Sequence, residues 1–115
     1  MISKLELEVL RDGLDDWVPL LAIDGMGRQL TSNPREIVVA AVLNLVVNRF
    51  VAIGIIESHQ FAPWEGEYEQ LETRLRDIYH HREERGWGFE FWLNNTPLGD
   101  ERANQSLSHR NADND

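Results

Sequence analysis

The stretch from Ile37 to Ile56, IVVAAVLNLVVNRFVAIGII, is the feature that most constrains the fold of this chain. A helix on a protein surface keeps an apolar stripe a little wider than about 100° and is polar elsewhere. As a helix, this stretch leaves only Asn44 and Asn48 as polar positions one turn apart, with Glu36 beside them and Arg49 to one side. We therefore expect a central helix that is covered on most of its circumference, either by its own fold or by a partner.

Chain length and composition limit the class of protein. With 115 residues the chain is long enough for one domain with its own core, and we expect that domain to span residues 1–104. It has no cysteine, which excludes disulfides, thiolate nucleophiles and zinc–thiolate sites. The N-terminal sequence lacks the features of a secretory signal, so a cytoplasmic location is expected. The polar residues 105–115 predict a disordered tail.

The apolar stretch is also about as long as a membrane span, which requires about 20 apolar residues. Asn44, Asn48 and Arg49 lie near its middle, and a central arginine costs about 2.5–3.5 kcal/mol on insertion scales. The stretch also does not have basic flanks or interfacial aromatic residues on both of its sides. The sequence therefore favours a buried helix over a transmembrane one.

Acidic residues outnumber basic ones, 20 against 11, which gives a formal net charge of -9. Such a charge repels nucleic acid and membrane surfaces and favours basic partners. Four glutamates are concentrated just before and within the start of a predicted helix: Glu65, Glu67, Glu69 and Glu72. They could bind a basic partner, although stabilising the helix N-terminus through its dipole is the simpler role.

Periodicity and cap residues predict three helices in the first half of the chain. Residues 2–11 form a short helix that ends at Gly13, although an alternating, strand-like pattern is also present. A second helix, capped by Asp15 or Asp16, runs through Trp17 to Met26. The long apolar helix then opens with a capping box formed by Asn33 and Glu36, with Pro34 at its first position, and ends at Gly54.

The second half of the chain predicts two strands and two helices. A short extended segment runs from residue 55 to 64, and a helix spans residues 67–84 and ends at Gly86. Residues 87–93 alternate as a half-buried strand, with Trp92 on its more exposed face. Thr96 then caps a last short helix that begins with Pro97.

Two segments resemble parts of a winged helix-turn-helix domain: WVPLLAIDGMGRQLTSNPREIVVAAVLNLVVNRFVAIGIIES and FWLNNTPLGDERA. The first is similar to the second and third helices and the entry to the wing, and the second to the closing wing strand. The resemblance implies a mostly helical α+β fold, with a winged-helix-like three-helix core and a two-stranded wing interrupted by an extra helix. The whole chain is also similar to small bacterial proteins of actinobacterial type, which implies no function.

In that family the third helix enters the major groove of DNA. The corresponding exposed stripe here contains no arginine and consists of Glu36, Ile37, Ala40, Ala41, Asn44 and Asn48. Phosphate neutralisation supplies much of the affinity for DNA, and the arginines available nearby are Arg28, Arg35 and Arg49. DNA binding by a transcriptional regulator is therefore the alternative hypothesis, with these three arginines on one face of a dimer.

No motif in the sequence predicts catalysis or a cofactor. His80 and His81 are adjacent, so on a helix they point about 100° apart and cannot jointly bind a metal. No phosphate-binding glycine loop or nucleophile–base constellation is present. We therefore predict no catalytic residue, no bound metal and no cofactor.

The first hypothesis is a non-enzymatic protein-interaction module. It would form a homodimer or bind a basic partner, as an immunity or antitoxin-type inhibitor does. The predicted interface residues are Ile37, Ala41, Asn44, Asn48, Trp92, Glu67 and Glu69. Binding of a small ligand between the long helix and the wing is a third possibility.

Overall fold

The chain folds into five α-helices and a four-stranded antiparallel sheet. Our computed structural model describes residues 2–113, with side chains described to Leu107. The predicted α+β class is confirmed. The helices are α1 Lys4–Asp12, α2 Leu20–Arg28, α3 Arg35–Val47, α4 Tyr68–His80 and α5 Pro97–Asp113. The strands are β1 Val18–Pro19, β2 Val51–Glu57, β3 Gln60–Pro63 and β4 Trp92–Asn95. The sheet has four strands, whereas the resemblance implied a two-stranded wing.

The sheet has the strand order β1-β4-β2-β3, with β4 between the first strand and the β2–β3 hairpin. Val18, Leu93 and Ile53 stand side by side across three strands, and all three are buried. The hairpin turn consists of Ser58 and His59, which both have positive φ angles of 51° and 64°. A two-residue turn of this kind matches the twist of the strands but usually contains Asn or Gly, so Ser58 and His59 are weak indicators of it.

The central helix α3 is covered mainly by elements of its own chain. Six of its side chains are buried: Val38, Val39, Ala41, Val42, Leu43 and Leu45. It contacts α1, α2, α4 and β2. Ala40, Asn44 and Val47 remain exposed, and Ile37 and Val46 are partly buried. The fold therefore supplies most of the cover that the apolar sequence requires.

The apolar stretch is not one helix, because α3 ends at Val47 and β2 begins at Val51. Arg49 has a left-handed conformation with φ 63°, which redirects the chain into the strand. Gly54, predicted to end the helix, lies inside β2, opposite Pro63. An apolar run of this length reads equally well as a buried helix or a central strand. The pairing of β2 with strands on both sides decides between them.

Two predicted N-caps do not form. The segment before α2 is strand β1, and α2 begins only at Leu20, so the aspartates before it do not cap the helix. No side chain caps the first residues of α3. Glu36 instead accepts a hydrogen bond from the Arg76 guanidinium of α4 at 3.1 Å. This contact with the guanidinium lowers the pKa of Glu36. The predicted capping box at Asn33 is therefore replaced by a link between two helices.

The C-terminal half differs from the prediction mainly in its boundaries. The helix predicted to end at residue 84 ends at His80, and the predicted strand at 87–93 is a 3-10 turn, Trp87–Phe89, followed by β4. Thr96 caps α5 as predicted, accepting from the Gly99 amide at 3.1 Å. Helix α5 continues to Asp113, where a disordered tail was predicted. Residues 114 and 115 of that predicted tail lie outside the described residues.

Candidate functional site

The surface between α1 and α3 contains three of the seven predicted interface residues, Ile37, Asn44 and Asn48. Ala41, which was predicted on the same exposed stripe, is only 4% exposed, so its predicted exposure was wrong. A capping box at the start of α1 shapes this surface: the Ser3 hydroxyl accepts from the Glu6 amide, and the Ser3 amide donates to Glu6 Oε2, both at 3.2 Å. Glu6 Oε1 accepts from Asn44 Nδ2 at 3.0 Å. The Glu6 side chain, in a residue only 6% exposed, thereby connects α1 to α3.

One half of this surface is an apolar groove of about 400 Å³. It is lined mainly by aliphatic side chains and methyl groups, from Leu5, Leu30, Thr31, Ile37, Ala40 and Ala41, together with Ser3 and Lys4. Leu30 is 45% exposed and adds a large apolar side chain to this lining. Lys4 is the one charged side chain among the lining residues. The apolar groove can therefore bind an apolar surface without burying an acidic group.

The other half is a polar pocket of about 390 Å³, lined by Ile2, Glu6, Asn44, Asn48, Phe50 and Arg102. Asn48 Nδ2 donates to the backbone carbonyl of Asn44 at 2.8 Å, which fixes the orientation of its amide. Glu6 and Arg102 line the same pocket but form no ion pair with each other. The polar pocket therefore contains two opposite charges that remain apart.

The remaining predicted interface residues lie elsewhere. Trp92 in β4 is partly exposed, as predicted, and packs against Phe89 with ring centroids 5.6 Å apart. Glu67 and Glu69 are exposed at the start of α4. Glu67 is the N-cap of that helix and forms a capping box with Gln70. The structure therefore divides the seven residues among three places, and Glu67 has a structural role of its own.

The three arginines of the DNA-binding hypothesis do not form one basic surface within the chain. Arg28 is bound to Asp24 Oδ2 at 2.8 Å, and Arg35 lies 3.3 Å from a Glu36 oxygen. Arg35 and Arg49 lie at opposite ends of α3, about 20 Å apart at 1.5 Å per residue. Their charges are therefore either neutralised or separated.

A buried network that the sequence analysis missed connects α2 to α4. Asp24, 3% exposed, accepts from the Tyr79 hydroxyl at 3.0 Å, and its Oδ2 accepts from Arg28 at 2.8 Å and Arg82 at 3.3 Å. Burial raises the pKa of Tyr79, and the neighbouring Asp24 charge and hydrogen bond act in the same direction. A single aspartate within the apolar segment LLAIDGMG was the signal that could have indicated it.

A third cavity, of about 250 Å³, lies beside the first turn of α4 and has an acidic rim of Glu65 and Glu67. The guanidinium carbon of Arg74 lies 3.5 Å from the ring centroid of Trp64 at its wall. This cation–π contact fills the aromatic surface that a cationic ligand would use. The cavity is therefore a weaker candidate than the surface between α1 and α3.

No group of three or more His, Asp or Glu residues that could bind a metal ion occurs within the described part of the chain. None of the helices between residues 2 and 113 combines the length and apolarity needed to cross a bilayer. Comparison with protein-family models, curated proteins and solved structures found no match to this chain.

Proposed function

We propose that this protein is a non-enzymatic interaction module that self-associates through the apolar groove between α1 and α3. The carrying observation is a nearly uncharged, apolar groove on a chain with a net charge of -9. Two copies can approach each other there because few like charges face one another. Ala40 is exposed among the lining residues, and its small side chain allows the second copy to come close.

The area required is available on this molecule. A stable interface takes about 800 Å² from each partner, roughly a tenth of the 7394 Å² accessible surface. The apolar groove together with its exposed neighbours on α3, such as Val47, would supply the centre of such a contact. In a symmetric dimer the same groove of both copies forms the interface, so no apolar groove remains exposed to a further copy.

Ala40→Glu tests this proposal. The residue is exposed, so the variant should fold, and the new carboxylate would be desolvated in the dimer. We expect sedimentation velocity to show a concentration-dependent dimer for the native chain and a monomer for the variant. Leu98→Glu is the matched control, since Leu98 is 48% exposed at the start of α5. A native chain that remains monomeric at high micromolar concentration would contradict the proposal.

Binding of a basic partner is a second form of the same function, and the glutamates at the start of α4 support it. Glu65, Glu67 and Glu69 are all exposed there. An inhibitor of a basic toxin or nuclease would use such a surface to attract its target. Immobilised protein should then retain a basic protein at low salt and lose it after Glu65 and Glu69 are replaced by Gln, with Glu67 kept as the helix cap.

Winged-helix DNA binding is the alternative, and the chain order α1, β1, α2, α3, β2 supports it. In the sheet, β4 lies between β1 and β2 of that series. The exposed positions on α3 include Asn44, an amide of the kind that reads adenine. Its Nδ2 is already bonded to Glu6, however, and the arginines are scattered. A gel shift on genomic fragments at low salt tests this alternative, because weak electrostatic binding is detected there first.

A further inference from the structure

The polar pocket between α1, α3 and α5 brings a carboxylate, a guanidinium and two side-chain amides to one cavity of about 390 Å³. Glu6 is 6% exposed, and its hydrogen-bond donors among the described residues, the Ser3 amide and Asn44 Nδ2, are both neutral. A buried carboxylate without a cationic partner is costly, and its two oxygens offer about four acceptor positions. The pocket therefore favours a positively charged group beside Glu6.

The orientations of both amides follow from their hydrogen bonds. Asn44 Nδ2 donates to a carboxylate and Asn48 Nδ2 to a backbone carbonyl. Both acceptors lack hydrogen, so the nitrogen of each amide is identified, and each Oδ1 is the other atom. Neither Oδ1 has a hydrogen-bond donor within the described residues. Together with Glu6 they provide three acceptors for the three N–H groups of an ammonium.

Arg102 supplies the opposite charge on the same pocket. Its guanidinium forms no ion pair with any residue of the described range and lies outside salt-bridge distance of Glu6. A guanidinium binds a carboxylate through two parallel hydrogen bonds. The walls of the pocket include the apolar side chains of Ile2 and Phe50.

We propose that the polar pocket binds a free α-amino acid with an apolar side chain. Glu6, Asn44 and Asn48 accept from its ammonium, Arg102 binds its carboxylate, and Ile2 and Phe50 contact its side chain. The site does not depend on self-association, because all six lining residues belong to one chain. It adds a small-molecule ligand to a protein whose proposed partners are proteins.

Leucine, leucinamide and 4-methylpentanoate test the proposal as a set, since the last two lack the carboxylate charge and the ammonium respectively. We expect leucine to shift the side-chain amide NMR signals of Asn44 and Asn48, and each analogue to bind at least about tenfold more weakly. No shift with leucine up to about 10 mM, or equal binding of all three compounds, would overturn the proposal.

Arg102→Gln removes the carboxylate partner and should weaken leucine binding by at least about tenfold. Arg35→Gln is the matched control, because Arg35 is an exposed arginine at the N-terminal end of α3, whereas the polar pocket lies at its C-terminal end. Glu6→Gln is a second variant that keeps the capping box, since Gln can replace Glu in it, while removing the negative charge. Leucine binding that survives both Arg102→Gln and Glu6→Gln would exclude this pocket as the site. The dimer test with Ala40→Glu is read separately.

Discussion

At the scale of single residues, Asp24 and Tyr79 show how a buried polar pair can join two helices. Asp24 has three donors, and Tyr79 packs edge-on against Trp87 with centroids 5.1 Å apart. A buried carboxylate is tolerated when it accepts hydrogen bonds and is paired with cations. Removing one donor leaves a carboxylate oxygen without its hydrogen bond. The network was not predictable from spacing, because Asp24 and Tyr79 are 55 positions apart.

Tyr79→Phe should lower the free energy of unfolding by about 1–3 kcal/mol at neutral pH, since a hydrogen bond to a charged acceptor is lost. The native pKa of Tyr79 is raised above that of the unfolded chain. Its contribution is therefore fully present below about pH 10 and is lost as the pH rises further towards the folded pKa. Urea titrations of the native protein should show this alkaline decrease, and those of the variant a smaller one.

Tyr68→Phe is the control for that experiment. Tyr68 is 50% exposed, and it is the other of the two tyrosines in the chain. The control should match the native protein at both neutral and alkaline pH. An equal loss of stability in both variants would mean that the Asp24 contact contributes nothing specific.

At the scale of the elements, the β2–β3 hairpin decides how the apolar stretch is used. Gly54 lies in β2 against β3, and a Cβ placed there would overlap the carbonyl oxygen of Ala62. This close approach explains a glycine within a strand, where it would otherwise weaken the strand. The sequence placed this glycine at a helix end, because glycine is also the usual residue there.

Gly54→Ala should destabilise the protein by about 1–3 kcal/mol, because the backbone of β2 or β3 must move to admit the methyl group. Gly25→Ala is the matched control in α2, where an added Cβ meets nothing within 4 Å. That change should stabilise the helix by up to about 1 kcal/mol. Thermal unfolding should therefore shift in opposite directions, and a shift of Gly54→Ala in the stabilising direction would contradict the described pairing.

At the scale of the whole molecule, net charge and groove chemistry oppose each other. Two copies with a charge of -9 repel, while the apolar groove favours their contact. Salt screens the repulsion over about 10 Å at 0.1 M and leaves burial of apolar surface in place. The two forms of the proposed function therefore differ in their response to salt.

Raising NaCl from about 50 mM to about 500 mM should strengthen self-association in sedimentation experiments. Binding of a basic partner to the glutamates at the start of α4 should weaken over the same range, because that attraction is screened. The Ala40→Glu variant should remain monomeric throughout, which separates the groove from non-specific salting-out. A dimer that dissociates as salt increases would indicate an interface held by charge instead.

The sequence by itself determined the α+β class, the start of α4 to within one residue, the Thr96 cap and the need to cover α3. These features depend on residues close together in the chain, where cap chemistry and periodicity act directly. Only the tertiary structure decided that Val51–Glu57 is a strand, that Asp24 meets Tyr79, and that Glu6 and Arg102 share one pocket. Each of these depends on pairing between distant segments, and local sequence does not encode which distant segments will pair.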